Sequence, residues 1–353
     1  MIDAAQRGGY AFPAVNVSSV TAINAALRGF SQAKSDGILQ ILPAAAEMAS
    51  GATLKNLAVG AIVLAEAAHR LAEQHDVSIA LHTDHCPPDL VESFMLPLID
   101  ETARRRANGL NNLFQSHMFD GSKLTMNDNL DQAVPLMKRC ADNDILLEVE
   151  VGVVAGLDEV TGEIKAADPD FYTTPEDMLR VHDALAPMGR YLLAPSFGNI
   201  HGSYKAGSIE LRPEILRQGQ NALARQRGAQ HRFDLVFHGG SSSPLEQVRQ
   251  AGSYGVVKMN LDSDTQYAFT RPIADHFFTN YRDVLQIDGG MGRQAYYDPR
   301  SYLRKAEESM ADRVAQACND LLCAGHTLGR SGTNPNHSLN AEETHGNEHT
   351  AAA

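Results

Sequence analysis

What most constrains this chain is a rhythm. Short apolar runs recur eight times, at residues 10–15, 37–42, 77–81, 113–116, 145–151, 191–195, 233–237 and 255–260, and amphipathic stretches such as 52–73, 130–142, 175–185 and 244–251 separate them. Runs this short, rich in β-branched and aliphatic side chains, read as buried strands. The longer stretches between them carry helical periodicity, so the repeat is βα and the sheet is expected to be parallel. Eight such units close into a (β/α)8 barrel, whereas a doubly wound sheet would carry an early G-x-G-x-x-G turn, which this sequence lacks. The expected fold is therefore an α/β TIM barrel. A bare barrel needs about 250 residues. The chain has 353, and the surplus falls in two insertions, residues 152–174 after strand five and 261–305 after strand eight. Residues 1–326 read as one domain, and residues 327–353, polar and irregular, as a disordered tail.

Composition narrows the function classes. A formal charge of −13 argues against nucleic acid or an anionic membrane as partner, because both need an excess of Lys and Arg. It leaves room for a small anionic substrate, which a few backbone N–H groups and one Arg can bind locally. There is no apolar run of about 18 residues, and Met1-Ile-Asp-Ala-Ala-Gln-Arg7 lacks the apolar core of a signal peptide, so a cytoplasmic location is expected. Four cysteines, Cys86, Cys140, Cys318 and Cys323, without C-x-x-C spacing, indicate reduced buried thiols rather than a disulfide framework or zinc knuckle.

The chemistry gathers where the runs stop. The third ends in His82-Thr-Asp-His-Cys86, after which Pro87-Pro88 cannot continue a ladder. His82, Asp84 and His85 are thereby ligands or proton carriers on one rigid element. Other runs end at Asn16, at His117 and Asp120, at Glu148 and Glu150, at His201, at His238, and at Asn260 with Asp262. One such cluster is more often a capping network than a site. Barrel enzymes, however, build their sites from the C-terminal ends of several strands, and histidines arriving from strands three, six and seven with acids between them favour a metal centre. Phe197-Gly-Asn-Ile-His-Gly202 and Phe237-His-Gly-Gly-Ser-Ser-Ser243 add a second theme, a His followed at once by Gly. Each offers an imidazole to a metal and exposed backbone N–H groups to a phosphate, with Lys205 in reach of the same anion.

These motifs, together with Ser196-Phe-Gly-Asn-Ile-His-Gly202, Tyr254-Gly-Val-Val-Lys-Met-Asn260, Asp264-Thr-Gln266 and Tyr297-Asp-Pro-Arg300, resemble the class II fructose-bisphosphate aldolases, in order, from about Tyr10 to Ala324. The resemblance implies a TIM-barrel aldehyde-lyase that uses Zn2+ for reversible aldol cleavage of a ketose bisphosphate to dihydroxyacetone phosphate and an aldehyde. By position it implies His85, His201 and His238 as zinc ligands, and Asp120 and Glu150 at a second or alternate metal position. It implies Asp84 as acid/base at the aldehyde oxygen, and Asn16, Gly202, Lys205, Gly239, Ser241, Asn260, Asp262 and Ser263 around the donor and its phosphate. It further implies a monovalent cation (Na+ or K+) near the phosphate turns, and a homodimer or higher homo-oligomer in which Arg300 reaches a neighbouring site. Three imidazoles leave Zn2+ open positions for ketose oxygens, which suits a Lewis acid.

The chain departs from the family pattern in three places. The Ser-Asn/Thr-Gly-Gly run after strand two is Leu42-Pro-Ala-Ala45. The Gly-Gly-Glu-Glu-Asp of the long loop is Ala155-Gly-Leu-Asp-Glu159, which leaves Asp158 or Glu159 as the proton-abstracting base. The Lys-Lys before Tyr297 is Gln294-Ala295. Two alternatives to an aldolase follow: a sugar-phosphate-binding pseudoenzyme that kept the metal without an efficient base, and a TIM-barrel metal hydrolase. The second is disfavoured because strand one offers Asn16 instead of a His pair.

Overall fold

The last barrel strand pairs with the first. The computed structural model describes residues 1–152, 155–156, 172–201, 211–240, 243–285, 290 and 292–329, apart from the side chains of residues 155, 156, 200 and 201. Its central sheet consists of β1 (Phe12–Asn16), β2 (Gly37–Ile41), β3 (Ile79–Cys86), β4 (Ser116–Phe119), β5 (Leu146–Val151), β6 (Tyr191–Pro195), β7 (Leu235–Phe237) and β8 (Val256–Leu261). Each strand lies parallel to its sequence neighbours. The register Phe12↔Lys258 to Val15↔Leu261 closes the ring.

Local chemistry sets the helices. Ser19 accepts from Ala22 N to start the helix Val20–Ala33, which stops at Lys34 in a left-handed conformation. Thr174 and Asp177 form a reciprocal capping box, with Pro175 at the first position of the helix Pro175–Leu185. After β2 the chain enters the helix Pro43–Ser50 directly. The single helix read from residues 52–73 is therefore Leu57–Ala72, preceded by this extra one. The insertion after β8 carries the helices Ser263–Thr279, Tyr281–Val284 and Gln294–Tyr297 before the long closing helix Pro299–Asp320.

Most strand ends shift by one or two residues from the sequence reading, and two strands differ by more. β3 continues through the histidines to Cys86 and ends at Pro87, since Thr83 and Cys86 are good strand formers flanking the polar residues. The fourth strand is Ser116–Phe119 rather than 113–116. Leu113 and Phe114 are buried, but they are core residues on the approach to the strand, so their apolar character marks packing and not the ladder. His117 consequently lies inside β4. It is buried against Thr83 at 2.7 Å, and burial pushes its ring down to about 3.

Barrel interiors are usually filled by branched apolar side chains. Here Gln40, His82, Glu148 and Lys258, all buried, stand on strands β2, β3, β5 and β8. Beyond the barrel, Thr327 and Leu328, where the polar tail was expected to begin, are bonded to the carboxylate of Asp36; the rest of that segment, residues 330–353, lies outside the described residues.

Candidate functional site

Successive side chains on a strand point to opposite faces, so Asp84 and His85 cannot both face the barrel mouth from a regular β3. The ladder to β4 shifts register between Thr83 and Cys86, and His85 takes φ +38°, a left-handed value rare for a residue with a side chain. This bulge turns the imidazole back beside the carboxylate, with Asp84 Oδ1 to His85 Nε2 at 3.9 Å. Bulges next to sites re-aim side chains in this manner.

From the far side of the barrel β7 delivers His238. Its Nδ1 lies 3.2 Å from His85 Nε2, and the rings meet edge to face with centroids 4.9 Å apart. The other nitrogen of each ring faces a carboxylate. His85 Nδ1 is 3.0 Å from Asp120 Oδ2 and 3.7 Å from Glu150, and His238 Nε2 is 2.7 Å from Glu148 Oε1. Both outer nitrogens are thus donors, which aims the two inner nitrogens at one point. Two groups result, Asp84 with His85 and His238, and His85 with Asp120 and Glu150, each with donor atoms within 4.8 Å of one another. The donor set, two imidazoles and three carboxylates, fits a divalent metal ion, with N and O ligands of the kind Zn2+ takes.

Electrostatics agree with that fit. Burial alone would lower the His85 ring, but Asp84, the bond to Asp120 and Glu150 hold it up at about 10. Burial would raise Asp120, yet its bond to the charged His85 ring and two bonds from Ser122 keep it well below the usual carboxylate range. Glu150 is raised by burial, against which His85 acts, and by the neighbouring acids Asp120, Glu148 and Asp84. The site is acidic and crowded, and a cation would relieve it.

Asp84 is held by amides. Its Oδ2 accepts from Asn16 Nδ2 at 3.0 Å and Gln40 Nε2 at 3.1 Å, and its Oδ1 from Asn260 Nδ2 at 3.0 Å. Asn260 in turn takes Lys258 Nζ on its Oδ1 at 2.6 Å, and Lys258 lies 3.0 Å from Glu148 Oε2. His82, expected beside Asp84 and His85, instead faces the barrel interior, between Ser116 Oγ at 2.7 Å and Glu148 at 3.5 Å. Burial, then Lys258, keeps its ring well below the ordinary value. It belongs to neither candidate metal group.

Of the remaining expected residues, Gly239 follows His238 with φ +64°, a conformation glycine adopts without strain. Phe197 and Phe237, which lead into the two glycine turns, pack edge to face with ring centroids 4.7 Å apart. Asp262 precedes Ser263, the first residue of the helix Ser263–Thr279, and burial, with Asp84, raises its carboxyl. Arg300 stands apart: its side chain is 84% exposed and folded onto Asp298. Asp158, Glu159, Gly202, Lys205, Ser241 and the imidazole of His201 lie outside the described residues. The backbone of His201 pairs with that of Gly156 in a two-stranded parallel ladder, which ties the segment after β5 to the segment after β6. Gln40 and Lys258 received no role from the sequence, and Glu148 was noted only as a strand-end acid. The available signal was a polar residue inside an otherwise apolar run, Gln40 in Gly37-Ile-Leu-Gln-Ile41 and Lys258 in Val256-Val-Lys-Met259.

Paired imidazoles over a bed of carboxylates can hold a Lewis acid, with one amide-bound carboxylate beside it to move a proton. A family model described as fructose-bisphosphate aldolase class-II matches residues 1–326. The fructose-bisphosphate aldolase of Mycobacterium leprae is 49% identical over 337 residues, covering 94% of this chain and 97% of that protein. That of Corynebacterium glutamicum is 47% identical over 335 residues, with 94% and 97% covered. Among solved structures, fructose-bisphosphate aldolase from Campylobacter jejuni superposes with a TM-score of 0.81 at 34% identity, over 92% of this chain and 93% of that one.

Proposed function

The chain belongs to the class-II fructose-bisphosphate aldolase family, and from that premise we propose that it is a zinc-dependent aldehyde-lyase that joins dihydroxyacetone phosphate reversibly to an aldehyde. The observation that carries this reading is the meeting of His85 Nε2 and His238 Nδ1 at 3.2 Å beside Asp84. His85 and His238, with His201 as third ligand, would hold the ion, and Asp120 with Glu150 would offer an alternate position. When bound, the metal would supply Lewis-acid polarisation of the donor's carbonyl and hydroxyl oxygens.

The chain's own residues do the rest. Asn16, Gly202, Lys205, Gly239, Ser241, Asn260, Asp262 and Ser263 position the donor and its phosphate. The glycine turns at Gly202 and Gly239 would also suit a monovalent cation, Na+ or K+, beside the phosphate. Asp158, or Glu159 if the shorter acid falls short, removes the donor's C–H proton. Asp84, fixed by three amide donors, exchanges the proton at the aldehyde oxygen. The decisive experiment is to load the protein with Zn2+, supply dihydroxyacetone phosphate in deuterated solvent and follow C–H exchange. Exchange that disappears on chelation is expected. Tight binding without exchange would identify a pseudoenzyme and overturn the assignment.

The protein is proposed to work in the cytoplasm; no described helix is long and apolar enough to cross a membrane. It is also proposed to work as a homodimer or larger homo-oligomer. The insertion after β8, which carries Arg300, leaves Tyr267 (66%), Phe278 (81%), Tyr281 (47%) and Tyr297 (44%) exposed, aromatic side chains of the kind enriched at contacts between protein copies.

A further inference from the structure

We infer that Lys258 and Glu148, a buried ion pair inside the barrel beneath the mouth, are positioning residues that fix which nitrogen of His238 faces the metal and which way the Asn260 amide points. The inference rests on the reading of His238 as a metal ligand.

Glu148 uses both oxygens. Oε1 lies 2.7 Å from His238 Nε2, and a carboxylate there can only accept, so the ring proton belongs on Nε2 and the lone pair on Nδ1, the nitrogen turned toward His85. Lys258 Nζ donates to the same Oε1 at 3.3 Å and lies 3.0 Å from Oε2, which is 3.5 Å from His82 Nε2. The ammonium makes a second commitment. It has three donors and no acceptor, and it gives one to Asn260 Oδ1 at 2.6 Å. An amide whose oxygen is taken in this way must present its nitrogen to the opposite side, and Asn260 Nδ2 lies 3.0 Å from Asp84 Oδ1 and 3.4 Å from His238 Nδ1. Turned over, the amide would set its oxygen against the Asp84 carboxylate. One lysine therefore orients, through two partners, both the metal-facing histidine and the carboxylate beside it. His82, kept neutral by burial and by Lys258, closes the pair on its remaining side without adding charge. An ion pair kept only for stability would need neither contact.

Three variants separate positioning from bulk stability: Glu148→Gln, Lys258→Met, and the double variant Lys258→Met with Glu148→Gln, which removes both charges at nearly constant volume. Zn2+ affinity is read by competition with a chromophoric chelator, and stability by thermal melting of the metal-free proteins. Each single variant should lose Tm, and Glu148→Gln should weaken Zn2+ binding by about 10- to 100-fold, the range for partners behind a ligand histidine. The double variant should regain Tm, because no buried charge is stranded, while its Zn2+ affinity stays low. A double variant with wild-type Zn2+ affinity would reduce the pair to a structural element and overturn the proposal. His238→Ala is the control: if it binds Zn2+ as wild type does, the ligand reading itself has failed. If it loses Zn2+ while Glu148→Gln and the double variant keep it, only the positioning role has.

Discussion

His238 Nδ1 and His85 Nε2 lie 3.2 Å apart across the barrel mouth, and the opposite nitrogen of each ring is committed to a carboxylate. With both outer nitrogens acting as donors, the inner contact is a hydrogen bond only if one ring is doubly protonated. His85, held up at about 10 by Asp84, Asp120 and Glu150 against burial, is that ring. A cation held by His85 and His238 would need the lone pair that the inner proton occupies, so metal and proton would compete.

Zn2+ affinity should therefore rise with pH below about 10, and at pH 8 binding should release about one proton per ion. Calorimetry in buffers of different ionisation enthalpy measures that number directly. Release of none, with affinity flat in pH, would contradict the arrangement. The sign for stability is opposite in the metal-free protein. A folded value raised from 6.5 to about 10 contributes stability in full below pH 6.5, and that contribution is lost as pH rises toward 10.

Asp84→Asn tests the proton carrier while leaving the three proposed imidazole ligands, His85, His201 and His238, in place. Asp84 receives amide N–H groups from Asn16, Gln40 and Asn260. An asparagine there must turn its own NH2 on one of them and can neither take nor return a proton at neutral pH. Turnover should fall by about 10²- to 10⁴-fold, the usual weight of acid/base catalysis, with Zn2+ content unchanged by elemental analysis. Turnover within a few-fold of wild type would remove Asp84 from the chemistry.

The barrel was legible because its signal is repetitive: eight apolar runs at strand length, with no run needing its exact ends. Strand β6 matches its predicted run, Tyr191–Pro195, because Gly189 and the following Ser196-Phe-Gly turn punctuate it. The candidate site was legible where residues lie at the close of an apolar run, as with Asp84 and His238, which share one candidate metal group. It was illegible where the deciding feature is a backbone irregularity or an interior contact. Nothing in His82-Thr-Asp-His says that a bulge will bring His85 to the side of Asp84 and leave His82 pointing into the core. Likewise a lysine within an apolar run reads as an edge or surface residue until closure of the barrel sets β5 and β8 across from each other.

Gly60→Ala is a stability test of the packing of the helix Leu57–Ala72 on the helix Pro43–Ser50. Alanine improves helix propensity by about 0.8–1 kcal/mol. However, a Cβ at this position would run into the carbonyl of Ala46 on the helix Pro43–Ser50, a backbone atom that cannot move aside as a side-chain tip would. Overpacking of this kind costs about 1–3 kcal/mol, so the clash should win and the denaturant midpoint should drop. An unchanged or higher midpoint would mean that the two helices slide apart freely.

Arg300 bears on assembly. Its guanidinium, 84% exposed, is paired with Asp298 two residues away, an exposed pair that contributes little to stability by itself. If it serves the site of a neighbouring subunit, Arg300→Ala should leave Tm essentially at the wild-type value and raise KM for a phosphorylated acceptor by tenfold or more. Light scattering should give a dimer or larger species. A monomer with full turnover would exclude that role.

The last prediction concerns the aldehyde. The residues proposed for the metal and donor phosphate follow the family resemblance, whereas Leu42-Pro-Ala-Ala45 and Gln294-Ala295 depart from it in the segments expected to hold the far end of the substrate. Leu42 occupies the cap position of the helix Pro43–Ser50 and provides no side-chain hydrogen bond there, and Pro43 at the first position has no N–H. Arg300 alone would then meet a second phosphate. One charge-assisted contact is worth about 1.5–3 kcal/mol, one to two decades in kcat/KM. A phosphate set against an apolar wall loses more than that contact returns unless water still reaches it. Fructose 1,6-bisphosphate should be cleaved slowly, and a less charged or more apolar aldehyde should condense faster with dihydroxyacetone phosphate. The measurement is kcat/KM for the bisphosphate beside a panel of aldehydes differing in charge and chain length. If the bisphosphate exceeds them all, the replaced segments do not govern the acceptor. If instead Leu42→Ser raises kcat/KM for the bisphosphate selectively, the wall after β2 is where specificity is set.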